Sequence, residues 1–278
     1  MRYIGGHVST AGGIPNAIDK TIKIGGNCLQ IFAGSPRLWA RKPFPESDVK
    51  EYLDQQKIHR LGPTFIHALY LVNLATNNPD LLEKSISSLV ADLQNGLQIN
   101  SSGVIVHIGS HQGRGFAEVK DQLVAVIERI LAETKETNLI LENDAGQNGK
   151  IGSPEELSFL LNNIKDERLK ICLDTAHLFE SGTDIRSDKE IDKFIGELGE
   201  LNILDKIVCI HLNDSSTDLA SHRDVHANLG EGKIGLDGLK KIINQKEFSH
   251  LPLILEVPGE NKTGPNKENI ARAFSIVG

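Results

Sequence analysis

The sequence predicts an α/β protein, a single (β/α)8 barrel that spans residues 1–278. Eight short apolar runs recur at steady spacing, and helical patterns fill the gaps between them. Near-continuous apolar runs are typical of strands that are buried on both faces of a parallel sheet. Eight alternations of strand and helix in a chain of this length favour a barrel. An open doubly wound sheet is the alternative, but the GGHVSTAGG segment fits the glycine-rich fingerprint of that fold poorly.

The predicted strands follow one another along the whole chain. The eight runs occupy residues 3–9, 28–33, 64–68, 104–109, 139–143, 170–175, 207–214 and 251–257. Between them, leucine and isoleucine recur at helical spacing, as at Ile14, Ile18 and Ile22, at Leu82, Ile86, Leu89 and Leu93, and at Leu123, Ile127 and Ile130.

Three sequence signals predict where helices begin and end. Gly25-Gly26 is expected to end the first helix, and Gly96 to end the second of these stripes. Ser153-Pro154-Glu155-Glu156 has the pattern of a capping box with proline at the first helical position. It predicts that a helix begins there.

Composition sets limits on function. Apolar residues make up 39% and charged residues 24% of the chain, as in ordinary globular proteins. No apolar run approaches the roughly 20 residues of a membrane-spanning helix, and residues 1–10 lack the apolar stretch of a secretory signal, so we expect a cytoplasmic protein without a membrane partner. The net charge of −7 does not suggest a non-specific polyanion binder. Three cysteines, Cys28, Cys172 and Cys209, lie in apolar runs and are expected to be free thiols.

Histidines and carboxylates occupy the ends of the predicted strands. Seven of the eight runs carry one at or near the exit: His7, His67, His107, Glu142, Asp174, His211 and Glu256. The adjoining loops add His111, His177, Asp214, Asp224 and His226. In a barrel the carboxyl ends of the strands meet at one face, where active sites lie. We therefore expect these side chains to converge there.

The residues two positions before the exits are apolar or cysteine. They are Phe65, Ile105, Ile140, Cys172, Cys209 and Ile254. Residues two apart on a strand share a face and lie about 6.6 Å apart, so these six are expected to form an apolar floor under a polar ring. On this interpretation the cysteines pack in the floor and are too deep to bind an ion held by the ring.

A ring of buried histidines and acids needs compensating charge, and none of these exits carries lysine or arginine. Multivalent cations would supply it, and the mixture of His, Asp and Glu suits zinc, or less strongly manganese or iron. Nine candidate ligands fit two to three ions with a bridging carboxylate: His67, His107, Glu142, Asp174, His177, His211, Asp224, His226 and Glu256. Clustered metal ions typically clamp phosphoryl oxygens.

The motifs along the chain resemble those of the endonuclease IV family of apurinic/apyrimidinic (AP) endonucleases. They appear in the family's order: YIGGHVSTAGG, FAGSPRLW, IHALYLVNLA, VHIGSH, LENDAGQ, LDTAHLF, HLNDS, RDVHANLGEGKIG and LILEVPG. Ile66 and Leu69 depart from it, because the family usually has proline and serine at these places. Neither position is a candidate ligand, so the departure concerns the loop's contact with substrate.

The resemblance implies a TIM-type barrel with three zinc ions per chain. His67 and His107 would bind the first, and Glu142 would bridge it to the second and act as the catalytic residue. Asp174, His211 and Glu256 would complete the second site. His177, Asp224 and His226 would hold the third.

The resemblance also implies an activity in base excision repair of DNA. The expected reaction hydrolyses the phosphodiester on the 5′ side of an abasic site and leaves a 3′-hydroxyl and a 5′-deoxyribose phosphate, with trimming of blocked 3′ ends. The partner would be double-stranded DNA with such lesions, and the protein is expected to be a monomer. By matched position, Arg37, Trp39 and Tyr70 would contact the DNA, and His7 and His111 are the other expected contacts.

Because the net charge is negative, the positive charge that attracts DNA has to come from a local patch of basic residues and from the bound metal ions. Three Zn²⁺ ions would bring the charge of −7 to about −1. The candidate patch comprises Arg37, Arg41, Lys42, Arg114, Lys150, Arg223 and Lys233. The glycine-rich segment LGEGKIG lacks the spacing of a P-loop and is interpreted as a tight loop that holds His226 in place.

Two other functions stay open from the sequence. A divalent-metal sugar isomerase or epimerase on a related barrel would use fewer ligands and one or two ions. A non-catalytic damage-recognition or zinc-storage protein would bind without cleaving. The number of bound ions separates the first alternative from the nuclease, and cleavage of an abasic duplex separates the second.

Overall fold

Eight parallel strands close into a barrel in this computed structural model, which describes residues 2–36 and 38–278, with only the backbone of Asn261. The barrel strands are β1 (Ile4–His7), β2 (Cys28–Phe32), β3 (Thr64–His67), β4 (Gly103–Val106), β5 (Leu139–Glu142), β6 (Leu169–Asp174), β7 (Ile207–His211) and β10 (Leu253–Leu255). Each pairs with its neighbour along the chain, and β10 closes the barrel onto β1. The predicted (β/α)8 barrel is confirmed.

Helices follow the barrel strands and surround them. They are α1 (Pro15–Ile24), α2 (Glu46–Ile58), α3 (Pro79–Gln98), α4 (Phe116–Ala132), α5 (Pro154–Asn163), α6 (Thr175–Ser181), α7 (Asp188–Glu200), α8 (Gly235–Ile243) and α9 (Lys267–Ser275). A two-stranded antiparallel sheet, β8 (Asp214–Ser215) with β9 (His226–Ala227), lies in the connection after β7. No helix in the described part of the chain is long and apolar enough to cross a membrane.

The predicted helix boundaries are correct at two places and wrong at a third. Gly25 ends α1 in a left-handed conformation with φ of 83°, and Ser153 with Glu156 forms the expected capping box of α5. Gly96, however, lies inside α3. A Cβ there would come within 2.6 Å of Ser101 Oγ, so glycine at this position permits close packing and does not end the helix.

The barrel interior has two layers. Phe65, Ile105, Ile140, Cys172, Cys209 and Ile254 form a buried cluster together with Cys28, separate from the main core between strands and helices. This is the predicted apolar floor. Because side chains alternate along a strand, the inward residues one layer nearer the carboxyl ends are the predicted polar ring.

Candidate metal centre

Strand ends and the turns after them bring the nine candidate ligands together at one mouth of the barrel. His67, Glu142, Asp174 and His211 are the last residues of β3, β5, β6 and β7. The other five follow β4, β6, β7 and β10 within the connections, at His107, His177, Asp224, His226 and Glu256. Asp174 has a second task, because its Oδ1 accepts from His177 N and caps α6. That cap fixes the turn that carries His177.

Eight of the nine candidate ligands fall into three overlapping groups, each with donor atoms within 4.8 Å of one another, and Asp224 falls into a further group with His177 and Glu180. The groups are His67, His107 and Glu142; Glu142, Asp174, His211 and Glu256; and Asp174, His177 and His226. Asp224 belongs beside the third group, since its Oδ1 lies 3.3 Å from His177 Nε2 and 3.6 Å from His226 Nε2. Glu142 therefore joins the first and second groups, and Asp174 joins the second and third.

The spacing of these donors fits zinc. His67 Nε2 and His107 Nε2 each lie 3.4 Å from Glu142 Oε2, beyond the usual length of a hydrogen bond. Two ligands held about 2.1 Å from one tetrahedral ion are themselves about 3.4 Å apart. Both the distances and the chemistry of the donor set are thus compatible with zinc.

Several of these buried donor atoms have no hydrogen-bond partner among the described residues. They are His67 Nε2, Glu142 Oε2, His177 Nε2 and His226 Nε2. An unpartnered buried polar atom costs free energy, and here the unpartnered atoms face one another across the cluster. Cations bound in the separate donor groups would satisfy them.

The second nitrogen of two rings is held by the surrounding protein. His67 Nδ1 donates to Ala68 O at 2.7 Å, and His177 Nδ1 donates to Asn143 O at 2.9 Å. Such contacts fix the tautomer and leave the other nitrogen free to bind a metal ion.

The charges in the cluster perturb one another strongly. Burial opposes ionisation of Glu142, but the imidazoles of His107 and His211 hold its pKa well below the usual range. Burial likewise disfavours protonated rings at His177 and His211, yet the neighbouring carboxylates raise both pKa values well above the ordinary value. Without a metal ion, protons on the imidazoles therefore supply the charge that the acids need.

The cysteines lie just beneath the ring. The sulfur atoms of Cys172 and Cys209 come within 4.8 Å of a donor atom of His211, closer than the layer argument suggested. Both side chains are fully buried, and burial raises the pKa of the Cys172 thiol well above its ordinary value. A neutral buried thiol packs as a small apolar group.

Sequence reasoning missed the amides that support the ring. Asn143 Oδ1 accepts from Asp174 N, and Asn213 Nδ2 donates to Asp174 Oδ2. Gln30, fully buried on β2, contacts both His211 and Glu256. A polar residue within the apolar run CLQIFA was the signal that could have identified Gln30.

The predicted DNA contacts occupy different environments. Tyr70 is 62% exposed and its ring lies 5.4 Å from that of His67. His7 lies beside the polar ring, with Nδ1 3.2 Å from Glu256 Oε1. Trp39 is half-buried and packs against the main core, and His111 Nδ1 accepts from the backbone of its own loop. Arg37 lies outside the described residues.

The candidate basic patch is smaller than the sequence suggested. The Arg41 side chain is only 1% exposed, because it forms a buried ion pair with Asp92 at 2.9 Å and also donates to Ser35 O, so its assignment to a DNA-facing patch is wrong. Arg114 donates to Ala75 O and His111 O. Lys42, Arg223 and Lys233 are exposed, and Lys150 lies at the rim, 3.3 Å from Asp144 Oδ2 and 3.5 Å from Asp224 Oδ2.

The backbone of the glycine-rich loop after β9 binds the carboxylate of another residue of this chain, Asp214. Backbone N–H groups of Gly230, Gly232, Ile234 and Gly235 donate to the buried carboxylate of Asp214. These amides are therefore not offered to a phosphate. The loop instead supports β8 and β9, which pair Ser215 with His226.

A groove of about 650 Å³ opens beside the ring. It lies between the loops at 8–11 and 34–36 and is lined also by His7, Phe32 and Thr263. The groove adjoins the ring at His7, whose Nδ1 lies 3.2 Å from Glu256 Oε1.

Comparison with known proteins agrees with this architecture. Residues 18–276 match the family model described as "Xylose isomerase-like TIM barrel". The chain is 37% identical over 262 residues to "Probable endonuclease 4" of Haloquadratum walsbyi and 39% identical over 258 residues to that of Halothermothrix orenii, covering 92–94% of each chain. The crystal structure of endonuclease IV from Thermus thermophilus superposes with a TM-score of 0.85 at 32% identity, covering 98% of this chain and 97% of that one.

The chain belongs to the endonuclease IV family. This confirms the resemblance that the motifs indicated. A D-tagatose 3-epimerase-like protein also superposes, with a TM-score of 0.72 at 18% identity over 98% of this chain and 95% of that one. At that identity the likeness shows only a shared barrel.

Proposed function

We propose that the protein is a zinc-dependent AP endonuclease that acts in base excision repair. It hydrolyses the phosphodiester on the 5′ side of an abasic site in duplex DNA, leaving a 3′-hydroxyl and a 5′-deoxyribose phosphate, and it trims blocked 3′ ends. The single observation that carries the proposal is the set of three donor groups, of which the first and second share Glu142 and the second and third share Asp174. Membership of the endonuclease IV family supports the choice of DNA as substrate.

When bound, three zinc ions would provide positive charge for a phosphodiester and an activated water as nucleophile. His67 and His107 would hold the first, Asp174, His211 and Glu256 the second, and His177, Asp224 and His226 the third. Glu142 presents one oxygen to the first pair of histidines and the other to His211, at 2.9 Å, so it spans two sites. The fully buried floor beneath keeps bulk water away from these groups.

The residues around the mouth would bind the damaged strand without reading bases. Tyr70 is an exposed aromatic ring next to His67, suited to stacking where a base is missing. A missing base also makes it less costly to extrude the nucleotide from the helix. Lys42, Arg223 and Lys233 are exposed cations for phosphate contacts, and Arg37, Trp39, His7 and His111 are the other proposed contacts.

The main alternative is a divalent-metal sugar isomerase or epimerase. The nine donors exceed what one or two ions require, and the epimerase-like neighbour shares only the fold. A count of bound ions therefore separates the two functions.

The test begins with elemental analysis of the purified chain, followed by incubation with a duplex that contains one abasic site, without added Mg²⁺. We expect about three zinc ions per chain and a single nick on the 5′ side of the site. One Mn²⁺ or Mg²⁺ per chain would favour the isomerase. A zinc-replete protein that binds the duplex without cleaving it would favour a damage-recognition protein.

A further inference from the structure

Gln30 is a buried amide on a strand that carries no candidate ligand. It lies in β2 with an exposed fraction of 0%, between apolar neighbours in the run CLQIFA. A buried glutamine is retained at low cost only if its donors and its acceptor are all satisfied. Its partners therefore identify what it does.

Three bonds use the whole amide. Nε2 donates to Glu256 Oε1 at 2.6 Å and approaches His7 Nδ1 at 3.1 Å, and Oε1 accepts from His211 Nε2 at 2.8 Å. Two of these three partners are proposed ligands of the same ion. They reach Gln30 from β7 and from the residue after β10, so one side chain links two separate parts of that site.

The chemistry of the partners fixes which way the amide faces. An ionised carboxylate only accepts hydrogen bonds, so the nitrogen of Gln30 must face Glu256. Its oxygen must then face His211, which requires a proton on Nε2 of that ring. Nδ1 is then the ring atom left to bind an ion; it lies 3.3 Å from Glu256 Oε2 and 2.9 Å from Glu142 Oε1, and without an ion it donates a hydrogen bond to Glu142.

We propose that Gln30 is a positioning residue for the second zinc site. It holds His211 in the Nε2–H tautomer and fixes the direction of the Glu256 carboxylate, so that both present their free donor atoms to one ion. The inference rests on the proposed metal centre. Glutamine is suited to this place because it is neutral and can donate and accept at once, whereas glutamate could not donate to Glu256.

The matched variants are Gln30→Met and Gln122→Met. Methionine keeps nearly the same shape and removes both functions of the amide. Gln122 is a half-buried amide on α4 that donates to Leu74 O and Thr76 O, away from the cluster, so its variant controls for the loss of a structural amide. Gln30→Leu serves as a second variant if methionine prevents folding, which circular dichroism would show.

Two measurements besides activity decide the matter. Zinc release is followed against a series of competing chelators, and the histidine tautomers of the zinc-loaded protein are read from long-range ¹H–¹⁵N correlations. For Gln30→Met we expect one of three ions to bind about 10–100-fold more weakly, the other two to stay, and the His211 signals to lose the Nε2–H pattern. Gln122→Met should match the wild type in both.

Wild-type affinity for all three ions together with an unchanged His211 signature in Gln30→Met would overturn the inference and leave the proposed function intact. A wild-type protein that binds no zinc would overturn both. An equal loss of zinc in Gln122→Met would show that any buried amide has this effect, and would also overturn the inference.

Discussion

Two fully buried carboxylates at the same end of the barrel have opposite surroundings. Asp214 accepts from the backbone N–H groups of the glycine-rich loop that surrounds it. Glu142 faces four imidazoles, and its Oε2 has no hydrogen-bond partner among the described residues. Burial of a charge alone therefore does not mark a functional site. A carboxylate satisfied by its own backbone serves the fold, whereas one that faces other unpartnered donors is prepared for a ligand.

The largest expected effect comes from Glu142→Gln. The change removes the charge that two proposed zinc sites share, and with it several kcal/mol of charge stabilisation, so we expect a loss of at least about 10²–10³-fold in kcat. Single-turnover cleavage of an abasic duplex measures it, alongside zinc content. Near-normal turnover with full metal content would contradict the bridging role.

Asp214→Asn tests whether the backbone hydrogen bonds to the Asp214 carboxylate stabilise the fold. Asparagine would place an NH₂ group or a neutral oxygen against backbone donors that now bind a carboxylate, so the free energy of unfolding should fall by about 2–4 kcal/mol. Urea unfolding of the chelated protein measures this loss. A loss of less than about 1 kcal/mol would show that these backbone donors do not depend on the charge of Asp214.

The sequence predicted the barrel and its floor because both depend on simple periodicity. Inward side chains recur every second residue on a strand, so Cys172 and Asp174 had to share a face. The same alternation predicted that the inward residues one layer above the floor are histidines and carboxylates. Once the strands close into a barrel, their carboxyl ends meet at one mouth, and the nine donors come together there.

The supporting contacts depend on three-dimensional register and could not be predicted in this way. Gln30 reaches Glu256 because β10 closes next to β1, which is not visible in the spacing of residues along the chain. Arg41 looked like a surface cation until the fold placed Asp92 of α3 beside it. Asp214 was noted only as an acid in a loop next to the strand ends, and the path of the loop after β9 shows that backbone N–H groups already satisfy its charge.

Low pH should weaken zinc binding by the nine candidate ligands. The carboxylates around His177 and His211 outweigh burial and raise both pKa values, so the metal-free fold gains stability from these protons, and it loses that gain as pH rises through the raised values. Zinc must displace the same protons, so its affinity should fall as pH is lowered through this range. We expect activity to decline below about pH 6, measured with a zinc-buffered assay. A rate that stays flat down to about pH 5 would count against this competition.

The smallest expected effect is that of Cys209→Ala, which tests whether a cysteine of the apolar floor also binds metal. The structure brings the sulfur atoms of Cys172 and Cys209 close to His211, so proximity alone would allow a thiolate ligand. Cys209 is fully buried among the apolar side chains of the floor, so we expect it to contribute only packing. Removing one buried sulfur atom should cost about 1 kcal/mol of unfolding free energy and leave three zinc ions per chain, as urea unfolding and elemental analysis would show. A variant that loses one ion would instead assign Cys209 to the metal centre, which would then extend one layer deeper into the barrel.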